Sequence, residues 1–356
     1  MKTGSNDYFD KAYIRHLLLC RDEEETALFR QSAEVRNRAI GNSVALRGLI
    51  EISNLCTKNC LYCGIRRSNT QTVRYELTDE EIISAARFAC RYHYGSIVLQ
   101  GGERNDIHFI QRIERLLKEI KKLSNNTLGI TLSLGEQEEE TYQRWFEAGA
   151  HRYLLRIETS DPGLYQKIHP EDTHHSHHTR LECLKRLQRC GYQTGTGVMI
   201  GLPFQSIDQL VDDLFFIRSM DIDMVGMGPY LEHQQTPLFQ YRDTLMPQEE
   251  RLRLSLHMIS CLRLMIPDIN IAATTALQAI DPQGRETALS IGANVIMPNI
   301  TPMTNRANYK LYENKPGMDE GAERSTQQLI ESIRKSGCEV LLGEWGDSRH
   351  FKNRKH

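Results

Sequence analysis

The chain has 356 residues, 40% of them hydrophobic, and carries 44 Lys and Arg against 46 Asp and Glu. That length supports a large core, and a net charge of −2 gives no reason to expect a nucleic-acid partner. No apolar run approaches a membrane span, residues 1–10 are polar rather than a secretory signal, and nine cysteines, an odd number, read as cytoplasmic thiols rather than a disulfide framework.

In chain order, residues 8–38 read as a charged, amphipathic helical stretch within an N-terminal extension (1–45), expected to cover the N-terminal face of the domain after it. The first strand-like run is 47–53, and Cys56, Cys60 and Cys63 come directly after it. Thr78-Asp79-Glu80-Glu81 has the form of a capping box and opens a helix to residue 92. The second run, 96–101, leads into Gln100-Gly101-Gly102-Glu103. Further runs at 128–134, 152–158, 193–200, 224–229, 270–274 and 294–298 alternate with helices. Among these helices are 138–148, stopped by Gly149, then 206–219, and one begun by Pro247 that reaches residue 264. The runs are short and mostly apolar, as parallel strands buried on both faces are. Eight strand–helix repeats of this size predict an α/β fold, a (β/α)8 TIM-type barrel over residues 46–337. A doubly wound open sheet would call for a glycine-rich phosphate loop after an early strand, and the sequence has none. A last helix near 325–336 and a C-terminal tail (338–356) complete the chain, with the basic stretch from Arg349 read as solvated.

The cysteines form a C-x3-C-x2-C array in the first loop at the strand C-terminal end, the end of such barrels that carries function. Three thiolates can hold three irons of a cubane [4Fe–4S] cluster and leave the fourth open to a ligand. A structural zinc site wants four protein ligands, usually as paired C-x2-C units, and only Cys60 with Cys63 makes such a pair. Cys56, Cys60 and Cys63 are therefore the candidate metal-ligating and catalytic residues. Lys58, Arg66 and Arg67 make their loop basic, which favours thiolates. Gly101 and Gly102 let the backbone approach a ligand, and Glu103 can accept hydrogen bonds from an ammonium group. Arg156 and Glu158, two apart on a strand, face the same side, where charges are seldom buried unpaired. Ser133, Thr274, Thr275, Asn299 and Thr301 lie toward strand C-termini. Together with Arg156 and Arg306, these small hydroxyl and amide groups suit an anionic substrate. His174-His175-Ser176-His177-His178 could bind a metal but reads more simply as a solvated loop. Cys20, Cys90, Cys183, Cys190, Cys261 and Cys338 read as packed helix thiols.

The cysteine array, with Tyr62 just before Cys63, resembles that of the radical S-adenosylmethionine (SAM) superfamily. The resemblance implies one three-cysteine [4Fe–4S] cluster and SAM as cofactors, SAM chelating the open iron and yielding a 5′-deoxyadenosyl radical on one-electron reduction. It also implies SAM contacts from Tyr62, Gln100, Gly101, Gly102, Ser133 and Arg156. Glu103 would meet the methionine amino group, Arg180 its carboxylate, Glu158 the ribose, and Met199 with Ile200 the adenine side. Leu46-Arg47-Gly48-Leu49-Ile50-Glu51, Leu132-Ser133-Leu134-Gly135-Glu136, Arg152-Tyr153-Leu154-Leu155-Arg156 and Ala293-Asn294-Val295-Ile296-Met297-Pro298-Asn299 extend the likeness to the HydE family of [FeFe]-hydrogenase maturation proteins. That implies action on a small organometallic iron–cysteine substrate bearing CO and cyanide. Companion maturation proteins and an electron donor such as flavodoxin or ferredoxin are implied with it. Several members of that family carry a second cluster near the C-terminus; Tyr312-Glu313-Asn314-Lys315-Pro316-Gly317-Met318 has no cysteine, so none is expected there. Methylornithine synthase, a lysine mutase, shares the motifs, while biotin synthase needs further cysteines inside the barrel. A non-enzymatic iron–sulfur scaffold or carrier is the alternative of another class, and 5′-deoxyadenosine production discriminates it.

Overall fold

The computed structural model describes residues 9–313, 315–316 and 322–354. Ten strands lie among them: β1 (Ser43–Ser53), β2 (Ser96–Gly101), β3 (Gly129–Ser133), β4 (Arg152–Leu154), β5 (Gln193–Thr196), β6 (Met199–Ile200), β7 (Met224–Pro229), β8 (Asn270–Ala273), β9 (Val295–Ile296) and β10 (Glu339–Leu341). β1 pairs in parallel with β2 on one side and β9 on the other, so the sheet closes on itself. β6 continues the line of β5 and pairs with β7, which leaves eight staves, and β10 adds to the start of β1. This is the (β/α)8 barrel predicted from the alternation of strands and helices.

Parallel strands need returns along their outer faces, and the sequence makes those returns helical. The helix Asp79–Arg91 opens at Thr78, whose hydroxyl accepts from the Glu81 amide (3.2 Å) while the Glu81 carboxylate accepts from the Thr78 amide (2.7 Å). Its buried stripe, Ile82, Ile83, Ala86 and Ala89, joins Ile110, Ile113, Leu117 and Ile120 of the next helix in one apolar cluster with Ile97, Leu99, Ile130 and Leu132. Each large side chain buried in this way contributes about 1.5–3 kcal/mol. The run predicted over 152–158 keeps only three residues as strand. Beyond Leu154 the regular ladder stops but the chain stays beside its neighbour: Glu158, with a left-handed backbone (φ 66°) that a regular strand excludes, makes an isolated parallel bridge to Val198.

Both ends of the chain depart from expectation. The helices Lys11–Leu19 and Asp22–Ile40 pack outside the helices Ile207–Ser219, Gln248–Met265 and Gly284–Ile291, rather than over the barrel's N-terminal face. That face is closed by the C-terminal tail, including the stretch from Arg349 expected to be solvated. Gly346 O accepts from Arg47 (3.0 Å) and Asn270 (2.9 Å), and the Asp347 carboxylate accepts from Arg152 (2.6 Å). In the helix Arg349–Arg354, His350 meets Asp268 (2.9 Å) and Asp221 (2.6 Å), and Arg354 meets Asp223 (2.9 Å). The physical reason is the pair of guanidiniums, Arg47 and Arg152, buried in this end of the lumen, which need more acceptors than the strands offer; β3 supplies only the Thr131 hydroxyl to Arg152 (3.0 Å). Residues 1–8, Asn314, 317–321, Lys355 and His356 lie outside the described residues, so parts of the expected N-terminal stretch, the cysteine-free stretch and the basic tail do too.

Candidate active site

At the strand C-terminal end lies a cavity of about 350 Å³. Cys56, Cys60 and Cys63 line it, with Tyr62, Gln100, Gly101, Gly102, Glu103, Ser133, Arg156, Glu158, Arg180, Met199, Thr274 and Thr275. Four expected residues do not. Ile200 alternates away from Met199 and is buried in the outer apolar core. The Asn299 amide donates to Glu51 Oε2 (2.9 Å), the Thr301 hydroxyl accepts from the Glu51 amide (2.9 Å), and Arg306 donates to Thr301 O (2.6 Å). These three residues support the wall from behind instead of facing a substrate, because the loop after β9 needs them to fasten it to β1.

The cysteine loop is held from several sides. Thr57 N donates to Glu103 O (2.9 Å), Leu61 N to Ile168 O (3.0 Å) and Gly64 N to Leu311 O (3.0 Å). The Arg74 guanidinium donates to the carbonyls of Asn54 (2.7 Å), Ile65 (2.8 Å), Arg66 (2.6 Å) and Asn69 (3.1 Å). Asn59 N donates to His175 Nε2 (2.8 Å), and His175 Nδ1 lies 2.7 Å from Asp172 Oδ1. A ring nitrogen that accepts carries no proton, so Nδ1 is the donor to Asp172. His175 is 6% exposed. The histidine run is therefore not a solvated loop throughout; its second residue braces the cysteine loop. Gly102 has a further reason to be glycine: a Cβ there would run into Leu55 O and stand 2.8 Å from Cys56 Cβ, so the residue also admits the cysteine loop.

Burial pushes all three thiols up, Cys60 to about 12 with Cys56 adding to the effect. Burial outweighs the lowering effect of Lys58 on Cys56; the Lys58 ammonium is also engaged by Glu136 (2.7 Å) and Glu103 (3.1 Å). Among the described residues no three His, Cys, Asp or Glu side chains converge on a point for a single metal ion. Three thiols that share one cavity without converging fit a cluster in which each cysteine takes its own iron, and do not fit a mononuclear zinc site. Binding iron would displace the thiol protons.

Beside the cysteines stand two cations and two carboxylates, all about nine-tenths buried. Arg180 meets Glu136 at 2.6 Å and Glu103 at 3.8 Å, and Lys58 bridges the same pair. Burial pushes the Glu103 carboxyl up, against the pull of Arg180 and Lys58. At Glu136 burial is outweighed by Arg180 and Lys58, which hold its carboxyl below the ordinary value. Glu136 follows Gly135 (φ 78°), whose carbonyl accepts from Tyr153 (2.8 Å) and Tyr142 (3.2 Å). Glu103 is the less committed carboxylate and Arg180 the adjacent cation, so the pair can take a zwitterionic head group: ammonium on Glu103, carboxylate on Arg180. Further along the wall, Arg156 grips Glu158 through two bonds of 2.9 Å and donates to Val198 O (3.0 Å).

The far wall contains residues that sequence reasoning did not single out. Glu51 and Lys315 form a buried ion pair. Lys315 also donates to Tyr309 O (3.0 Å) and lies 4.9 Å from the centre of the Tyr309 ring. Tyr309 OH accepts from Gln100 (3.3 Å), and Tyr312 OH bonds Thr275 (2.7 Å). Alternation along β1 places Arg47, Leu49 and Glu51 on the lumen side and could have indicated Glu51. Glu136 and Lys58 had a signal in their nearness to the glycine and cysteine motifs. Lys315 lies in an irregular segment with no periodic signal.

Comparison with known proteins agrees with this geometry. The family model of the Radical SAM superfamily matches residues 50–217. The chain is 47% identical over 308 residues to the [FeFe] hydrogenase maturase subunit HydE of Thermotoga maritima, covering 86% of this chain and 85% of that one. It is 29% identical to a 3-methylornithine synthase of Methanosarcina acetivorans, over 83% and 82% of the two chains. Among solved structures, methylornithine synthase (PylB) superposes with a TM-score of 0.78 at 25% identity, covering 94% of each chain.

Proposed function

The chain belongs to the HydE family of radical SAM enzymes, and from that premise we propose that it acts in assembly of the di-iron part of the [FeFe]-hydrogenase active site. Bound to the protein, a three-cysteine [4Fe–4S] cluster and SAM would supply the family's chemistry, one-electron reductive cleavage of SAM. Cys56, Cys60 and Cys63 hold the cluster. Glu103 exchanges its longer contacts for the SAM ammonium, Arg180 takes the carboxylate, Glu158 the ribose, and Met199 borders the adenine. The observation that carries this reading is that the three thiols, the zwitterion cradle and a cationic, hydroxyl-bearing wall all border one cavity.

Beyond SAM, the substrate is a small organometallic iron–cysteine complex carrying CO and cyanide. Arg156 with Ser133, Thr274 and Thr275 offers donors to cyanide and carboxylate acceptors, and Tyr309, Tyr312 and Lys315 complete the enclosure. The barrel keeps water from the radical and from the iron complex, while the residues bind and orient. Companion maturation proteins deliver the substrate and receive the product in the cytoplasm, and a flavodoxin or ferredoxin provides the electron. The test is 5′-deoxyadenosine formation by cluster-loaded protein with a synthetic iron–cysteine carbonyl cyanide complex or with lysine. Turnover stimulated by the iron complex supports the reading. Methylornithine from lysine would move it to the mutase, and no 5′-deoxyadenosine with either would move it to a scaffold.

A further inference from the structure

Outside the barrel cavity, a depression of about 260 Å³ is lined by Leu55, Cys56, Thr57, Arg67, Arg74 and Arg104. Cys56 borders both this depression and the inner cavity, so a single residue of the cysteine loop separates the two. The charges around it are unbalanced. Arg104 is paired with Glu76 (2.7 Å) and Asp106 (2.9 Å). Arg74 spends its donors on backbone carbonyls, none of which brings a compensating negative charge. Arg67 is exposed. Of the three arginines that line the depression, Arg67 and Arg74 thus stand without a carboxylate partner among the described residues, in a chain of net charge −2. Beside Arg74, Val73 is 65% exposed.

We propose that this face docks an acidic one-electron carrier protein, which delivers its electron to the cluster by way of Cys56. The proposal rests on the radical SAM reading. The transfer is balanced: the reduced carrier loses one electron, the cluster held by the three cysteines gains it, and no atom moves between the proteins. Uncompensated arginines draw an acidic surface in and orient it, and an exposed apolar side chain beside them offers a dry contact once the partner arrives. Arg74 serves both purposes, since the same guanidinium that gathers the cysteine loop carries the charge at the rim.

The test uses the full chain with its cluster, the variant Arg67→Glu/Val73→Glu, and reduced flavodoxin as the carrier. Neither side chain borders the inner cavity. Affinity for flavodoxin is measured directly at several salt concentrations, and 5′-deoxyadenosine formation is driven by flavodoxin or by dithionite. The variant is expected to bind flavodoxin about tenfold more weakly, with a shallower dependence on salt, and to lose flavodoxin-driven turnover. Dithionite-driven turnover and the cluster midpoint potential are expected to match the unaltered protein. Unchanged flavodoxin affinity would overturn the docking face. So would equal losses with both reductants accompanied by a shifted potential, since the arginines would then be tuning the cluster. Absence of 5′-deoxyadenosine from the unaltered protein with dithionite would overturn the radical SAM reading, and the docking face with it.

Discussion

Glu103 and Glu136 share two cations but hold them differently, and SAM binding depends on that difference. The contacts of Glu136 are 2.6 and 2.7 Å, those of Glu103 3.1 and 3.8 Å. Glu136 therefore keeps Arg180 and Lys58 in place while Glu103 turns to an incoming ammonium. Glu103→Ala and Arg180→Ala are each expected to weaken SAM binding at least about tenfold, in line with the roughly 1.5–3 kcal/mol of a hydrogen bond to a charged group, with iron content unchanged. Calorimetric titration with SAM checks this, and unchanged affinity in both variants would remove the two residues from the SAM site. His175 yields a second expectation. In His175→Ala the Asn59 amide loses its buried acceptor, at about 1–3 kcal/mol, so less iron should be retained after reconstitution. His175→Gln, which restores an acceptor, should retain more; full iron loading of His175→Ala would show that the brace is dispensable. Ligands on one short loop, such as the cysteines, are legible as a spacing, whereas His175 and Asn59 are 116 residues apart and meet only after the barrel has closed.

At the scale of elements, helices and strands were legible wherever a periodic apolar face meets the core, as in the helix Ile107–Leu123 behind β2 and β3. The segment from β10 to Arg354 was not, because it docks through polar groups: a three-residue strand, one carboxylate on Arg152, and a histidine between two aspartates. Asp347→Ala should destabilise the protein by about 3 kcal/mol, since it leaves the Arg152 guanidinium buried without its counterion, and denaturant unfolding would show this. His350 adds a pH dependence. Its hydrogen bond to Asp268, with Asp221 assisting, raises its pKa above the ordinary value despite burial. The folded state thus binds the proton more tightly than the unfolded chain. The resulting stabilisation is complete below the unfolded value of about 6.5 and is lost as pH rises through the higher folded one. The thermal midpoint of the unaltered protein should exceed that of His350→Gln most below about pH 6 and by less above about pH 8. A difference independent of pH would mean that this imidazolium does not hold the segment.

Across the whole molecule the two ends of the barrel have opposite roles. One is closed by charge pairs between the C-terminal segment and the strand starts, and the other opens into the cavity that borders the three cysteines. Among the described residues no helix is long and apolar enough to cross a membrane. The alternation of elements reveals the barrel, and the cysteine spacing reveals which end reacts. The substrate wall is less legible, because Tyr309, Tyr312 and Lys315 come from an irregular segment whose course is set by the finished fold. The central claim is maturation of an [FeFe]-hydrogenase, and a dropout assay under anaerobic conditions tests it most directly. Apo-hydrogenase, the companion maturation proteins, SAM and reductant are combined with and without the cluster-loaded chain, and hydrogen evolution is followed. The account predicts hydrogen evolution that requires both this chain and SAM and that a Cys60→Ser chain does not restore. Equal hydrogen evolution with the chain left out, or none from a chain that still makes 5′-deoxyadenosine, would contradict it.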